Sequence, residues 1–245
     1  MSSSFSELNR AHFDTIAQSY DAKIGAQEVI DRVVEHLQAD PEWLGVDWIK
    51  EHEYDVEKDE EGEEIEVPRR DVRVLDYACG TGLVSKVRGI DISPAMVAAY
   101  NTHASNQGLS PQEMHATAGD FLSSTPSPSL LGPDFYSFDL AVVGLGFHHF
   151  DDPELAARRL SERLKPKTGV LLVIDFLPHG KFEAQDGSHN TVAHHGFSRE
   201  RIVEIFERAG CVDVRVEVLG KGISIGDQGG KQERSVFMAR GRRDE

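Results

Sequence analysis

Cations are scarce in this chain of 245 residues, where 26 Lys and Arg stand against 42 Asp and Glu, a formal net charge of −16. A phosphate backbone is bound through clustered cations, so this balance argues against a nucleic acid as the main partner. Cysteine is scarcer still. Cys79 and Cys211 make neither a disulfide framework nor a zinc-ligand spacing, and the expectation is a reducing compartment. No apolar run is long enough to span a membrane, and "MSSSFSELNR" lacks the apolar core of a secretion signal. The chain is therefore read as cytoplasmic, with small molecules or proteins as partners and its oligomeric state open. A hydrophobic share of 39% and a charged share of 28% are ordinary for a globular protein.

Hydrophobic spacing divides the chain into three stretches. Residues 1–49 read as two helices, one in "SELNRAHFDTIAQSYDAK" and a clearer one in "AQEVIDRVVEHLQ". Residues 50–70 form an acidic insertion in which Tyr54 and Val56, then Ile65 and Val67, alternate with charges around Glu61-Gly62. That pattern is read as an exposed hairpin or a solvated loop. From residue 71 onward short apolar strands alternate with helices: "VRVLDYA", "VRGIDI", a helix capped by Ser93 before Pro94, "EMHATAGD", and "FDLAVVGLGF". A helix capped by Asp152, the strand "GVLLVIDFL", a helix from Ser198, and the pair "CVDVRVEVLG" and "RSVFMARGR" complete the order. This alternation predicts an α/β fold, a doubly wound and mostly parallel sheet closed by an antiparallel pair.

In such sheets ligands bind at the carboxyl ends of the strands, near the topological switch point. The endings here are "DYACGTG", "GIDIS", "AGDF" and "GLGFHHF". Gly80 and Gly82 allow a tight turn and close approach of a ligand to the backbone. Asp91 is placed to accept from a ribose diol. Asp120, beside Phe121, suits an exocyclic amine and a purine face. His148 and His149 follow the fourth strand, where histidine could act as a base, or where one could pack while the other is solvated. His194 and His195 precede the last helix and could close over the same pocket. Neither histidine pair has a zinc-motif spacing, so no metal is expected. Cys79 reads as a small buried residue.

The ordered set "LDYACGTGLVS…GIDIS…AGDF…FDLAVVGLGFHHF…LKPKTGVLLVIDF…GFSRERIVEIFERAG" resembles the class I S-adenosylmethionine-dependent methyltransferases, in particular their small-molecule, quinone-methyltransferase branch. The resemblance runs from about Val72 to Arg240, and "AHFDTIAQSYD" is similar to the lid helix of that branch. It implies a Rossmann-like sheet of seven strands, S-adenosylmethionine as cofactor, and a small-molecule methyl acceptor. It also implies Asp76, Ala78, Gly80 and Gly82 around the methionine moiety, Asp91 with its neighbour Ile92 at the ribose, and Asp120 with Phe121 at the adenine. Gly144, Leu145 and Gly146 would form the floor beneath the sulfonium, with Tyr20 in the lid. Ala78 departs from the pattern by standing where a glycine is common.

One interval is too short. A crossover between parallel strands needs a dozen or more residues, usually with a helix, yet Gly82 and Asp91 are nine positions apart and "LVSKV" cannot form that helix. Losing about four buried apolar residues would forfeit roughly 6–12 kcal/mol, comparable with a domain's stability of about 5–15 kcal/mol. Either another segment repairs the gap, or the fold is badly weakened, or residues have been lost from the chain. Two other functional classes stay open. "GTGLVS", with Ser85 in the third position, nearly matches a nicotinamide-binding turn, and the short crossover suits a methyltransferase-like module that binds without turnover.

Overall fold

The computed structural model describes residues 4–22, 26–46, 56–58, 64–66, 72–82, 87–180, 188–227 and 230–245. Two N-terminal helices, α1 (Ser4–Ile16) and α2 (Ala26–Ala39), precede a two-stranded hairpin of β1 (Val56–Lys58) and β2 (Glu64–Glu66). The hairpin pairs antiparallel with Glu57 opposite Ile65; Tyr54 and Val67 lie outside the described residues. The remaining strands are β3 (Val74–Tyr77), β4 (Arg88–Asp91), β5 (His115–Ala118), β6 (Leu140–Gly144), β7 (Val170–Phe176), β8 (Cys211–Asp227) and β9 (Gly230–Arg243). Helices α3 (Pro94–Asn106), α4 (Pro153–Ser161) and α5 (Arg199–Arg208) alternate with them. The seven strands lie in the order β5-β4-β3-β6-β7-β9-β8. Five run parallel, and β9 inserts antiparallel between β7 and β8. The switch point therefore falls between the carboxyl ends of β3 and β6.

Strand alternation assigns the two faces. Leu75, Ile90, Ala141, Val143, Leu171 and Val173 point into the larger core with Leu160 of α4 and Ile202, Ile205 and Phe206 of α5. Val74, Leu140, Val142, Leu172 and Met238 point the other way, onto Val33 and Leu37 of α2 and the Trp43–Val46 segment. Helix starts follow the caps. Ser93 Oγ accepts from the Met96 N–H at 3.1 Å, Asp152 Oδ1 from Leu155 at 2.9 Å, and Ser198 Oγ from Arg201 at 3.2 Å, each satisfying an amide that the first helical turn leaves unpaired.

The closing strands outrun their sequence signal. "CVDVRVEVLG" stops at Gly220, but β8 continues to Asp227. The ladder shifts register around Gly220, whose φ is +148°, and Gly222 follows at +77°. Glycine bulges interrupt the alternation without ending the strand.

The short crossover has a local remedy. β3 and β4 pair in parallel, Asp76 opposite Gly89, with only residues 78–87 between them. Of these, 83–86 lie outside the described residues. On the face that Asp76 and Gly89 share, the fully buried Tyr100 of α3 lies over the sheet. A Cβ on Gly82 would stand 2.6 Å from its ring and one on Gly89 3.2 Å from it. Tyr100 packs there with Cys79, Ala104, Met114 and Ala116, so an aromatic side chain from the next helix covers surface that a crossover helix would otherwise bury.

Candidate functional site

A cavity of about 220 Å³ opens at the switch point. Its floor is the turn after β6. Leu145 holds a left-handed φ of +54° while its N–H bonds Ile174 O at 2.8 Å. Such a conformation in a branched residue concentrates at functional sites. A Cβ on Gly144 would meet no protein atom within 4 Å, and one on Gly80 would meet only the Tyr20 ring, at 3.7 Å. Both glycines line the cavity, so the space that their missing side chains leave belongs to a ligand. Ala78 also lines it, at φ +59°. The position that departs from the family pattern is thus one where the backbone favours glycine.

Two strand ends supply acids. Asp91 Oδ2 accepts from the Gly80 N–H at 2.9 Å and Oδ1 from the Ser93 N–H at 2.8 Å, which clamps the glycine turn to β4. Burial raises the Asp91 carboxyl above its ordinary range; the backbone N–H bonds act against this and nearby Asp14 adds to it. Asp120 Oδ1 accepts from the Tyr77 hydroxyl at 2.8 Å and the Leu122 N–H at 2.7 Å. Its other carboxylate oxygen accepts nothing from the described residues. Asp76 is 5% exposed. Burial, and then the charge of Asp91, push its carboxyl up to about 8.

The two neighbouring histidines part company. Phe147–His149 form a single 3-10 turn, on which successive side chains point about a third of a turn apart. His148 turns inward, its Nδ1 2.8 Å from Asp175 Oδ1 and its own N–H on Asp175 Oδ2 at 2.9 Å. His149 lines the cavity. Its Nδ1 is 2.7 Å from Thr191 O; a carbonyl only accepts, so Nδ1 carries the proton and Nε2 is the basic nitrogen of the neutral ring. The edge of Phe13 from α1 meets that ring at 5.2 Å and 89°.

Of the residues named from sequence, Tyr20, Ala78, Gly80, Asp91, Ile92, Asp120, Gly144, Leu145, Gly146 and His149 surround one cavity. Asp76, Gly82, Phe121 and His148 stand outside its lining. Gly82 gives its space to Tyr100. Phe121 is buried in a parallel stack with Tyr77 at 5.4 Å, so its ring offers no open face. His194 packs on Phe197 and His195 on His179, and neither lines the cavity. Cys79 is buried, which raises its thiol well above the ordinary value.

Sequence reasoning missed Asn9 and Phe13 on α1, Met96 on α3, Leu122, and Phe150 with Leu155. The α1 residues had a signal, since Phe13 and Tyr20 recur at helical spacing and their rings meet at 6.2 Å. The lining also has a charge pattern. It holds Asp91, Asp120, Asp151 and Asp152, and no lysine or arginine among the described residues. Carboxylates without cations suit a positively charged ligand.

Three comparisons bear on this arrangement. A methyltransferase domain family matches residues 33–216. An uncharacterized methyltransferase of Schizosaccharomyces pombe is 32% identical over 164 residues, 60% of this chain and 55% of that protein. The chain thus spans little more than half the length of that relative. A SAM-dependent methyltransferase structure from Methanosarcina mazei superposes with a TM-score of 0.52 at 18% identity, over 72% of this chain and 94% of that one. A phosphoethanolamine N-methyltransferase of Haemonchus contortus, solved with S-adenosyl-L-methionine, gives 0.51 at 16% identity, over 71% and 49%. These two structures establish a shared fold.

Proposed function

The chain belongs to the methyltransferase domain family, and from that membership we propose that it moves a methyl group from S-adenosylmethionine to a small-molecule acceptor. The observation that carries the reading is the cavity at the switch point, lined by four aspartates and no described cation, with a glycine floor whose missing side chains leave room for a ligand. Asp91 and Ile92 would meet the ribose and Asp120 the adenine amine, with Leu122 and Phe150 as apolar walls. Ala78, Gly80, Gly144 and Leu145 would surround the methionine moiety under Tyr20. Asp76 and Gly82 act one layer back, through the shape of the glycine turn.

S-adenosylmethionine supplies a methyl group already activated by a positive sulfur. The chain's own contribution is alignment and exclusion of water. α1 and the 3-10 turn that follows it, Ala17–Ala22, bring Phe13 and Tyr20 over the cavity. His149 Nε2 takes the proton that the acceptor atom loses, while Thr191 O keeps the ring in that tautomer. His148, fixed on Asp175, positions the turn that carries His149.

No helix among the described residues is long and apolar enough to cross a membrane. Two buried free thiols and the strong negative charge suit a cytoplasmic enzyme that does not act on nucleic acid.

The ten-residue connection from β3 to β4 favours one other reading, a module that holds the cofactor without turnover. Equilibrium dialysis of labelled S-adenosylmethionine against wild type and Asp91→Ala tests the cofactor assignment. About tenfold or greater weakening in a folded variant is expected, and equal affinity would remove Asp91 from the ribose.

A further inference from the structure

Asn9 is a buried polar side chain of the cavity whose hydrogen bonding is incomplete. It sits on α1, is 6% exposed, and lines the cavity beside His149. Its Nδ2 donates to the main-chain oxygen of His149 at 3.4 Å. Because a carbonyl cannot donate, that contact settles which end of the amide is the NH2 group. The other end, Oδ1, is buried and accepts no hydrogen bond from the described residues. Buried polar atoms in folded proteins are paired, and an orphaned acceptor at the wall of a ligand cavity calls for a donor on the ligand.

Position along α1 separates the acceptor from the cofactor. Asp14 bonds Ser93 and Ala95 next to the Asp91 acid. Asn9 lies five residues earlier, about 7–8 Å back along the helix axis, against the turn that presents His149. Resting on the methyltransferase reading, the geometry points to Asn9 as the residue that reads the acceptor: its amide oxygen accepts a hydrogen bond from a second O–H or N–H group beside the atom that receives the methyl. Phe13 stands edge-on to both His149 and Tyr20, which makes an aromatic wall for a planar molecule. The acceptor class is therefore a planar aromatic molecule with an O–H or N–H donor adjacent to the atom that is methylated.

Catechol and phenol differ in this one respect, since phenol has no second hydroxyl to donate to Oδ1. Titration of both into wild type and Asn9→Leu, each saturated with S-adenosylhomocysteine, tests the assignment. Wild type should prefer catechol by about tenfold or more, Asn9→Leu should bind the two alike, and affinity for S-adenosylhomocysteine should stay the same in both proteins. Equal affinities in wild type, a preference surviving in Asn9→Leu, or binding of neither probe at millimolar concentration would overturn it. Weakened S-adenosylhomocysteine binding in a folded Asn9→Leu would give the amide to the cofactor instead. If Asn9→Leu does not fold, Asn9→Ala answers the same question, and the wild-type comparison stands alone. Failure of wild type to bind S-adenosylhomocysteine would count against the cofactor reading, and the two probes titrated into the chain alone would still decide whether Asn9 discriminates.

Discussion

The hydroxyl of Ser93 donates to Asp14 Oδ1 at 2.6 Å, which joins helix α1 to the start of α3. The same oxygen accepts from the Ala95 N–H at 3.2 Å, and the Ser93 N–H in turn holds Asp91 at 2.8 Å. Asp14 and Asp91 are thus joined through one serine. Asp14→Ala removes an acceptor for two donors, a loss of about 1–2 kcal/mol in the contact between α1 and α3. S-adenosylhomocysteine should then dissociate about 5–30 times faster in stopped-flow measurements. An unchanged rate would mean that α1 is held by its other contacts, Phe13 among them.

Ala78 occupies a left-handed backbone position at the mouth of the glycine turn. A residue with a Cβ is disfavoured there by about 1–2 kcal/mol, and glycine gives back about half of that through the entropy of the unfolded chain. Ala78→Gly should therefore raise stability by up to about 1 kcal/mol in urea unfolding. A loss of that size would mean that the methyl group packs productively against the turn at Gly146.

Tyr100 spreads its ring over Gly82 and Gly89, and its hydroxyl is buried without a partner. Ring and hydroxyl should separate cleanly by substitution. Tyr100→Phe keeps the cover and removes an unpaired polar group, so stability should hold or rise by about 1 kcal/mol. Tyr100→Ala opens the face of the missing crossover helix and should cost about 3–5 kcal/mol. A mild Tyr100→Ala phenotype would show that other residues cover this face.

Asp76 lends the fold a specific pH dependence. Its carboxyl, ordinarily at 3.8, is pushed up to about 8 in the folded chain. Between those values the unfolded chain has released the proton and the folded chain still holds it. The folded state binds more protons, so stability is highest below pH 4 on account of this group and falls as pH rises toward 8, by up to about 1.4 kcal/mol per unit. Urea unfolding of Asp76→Asn between pH 5 and 8 should lose that slope and gain most over wild type at the alkaline end. A variant with the wild-type slope would place the titration elsewhere.

What the sequence disclosed follows the range of each interaction. The helix caps Ser93, Asp152 and Ser198 were legible because each bonds an amide three residues away. The parallel strands were legible because both of their faces are buried, which leaves continuous apolar runs. The acids and glycines of the cavity came from strand endings whose convergence follows from topology. Contacts between distant residues were hidden. Tyr77 meets Asp120 across 43 positions and Asn9 meets His149 across 140, and nothing in either neighbourhood announces its partner. His148 and His149 are indistinguishable as letters; only the 3-10 turn and the buried Asp175 send one inward and the other to the cavity. The cover over the short crossover was hidden for the same reason. Tyr100 reads as one more apolar position of a helix until Gly82 and Gly89 lie beneath it.

The most direct measurement is calorimetric titration of the 245-residue chain with S-adenosylhomocysteine, with its mass and its circular dichroism in hand. One-to-one binding by the folded chain is the expected result, because the glycine turn, Asp91 and Asp120 keep their places around the cavity despite the ten-residue crossover. A folded chain that does not bind would contradict the account at its centre and leave a methyltransferase fold that has lost its cofactor.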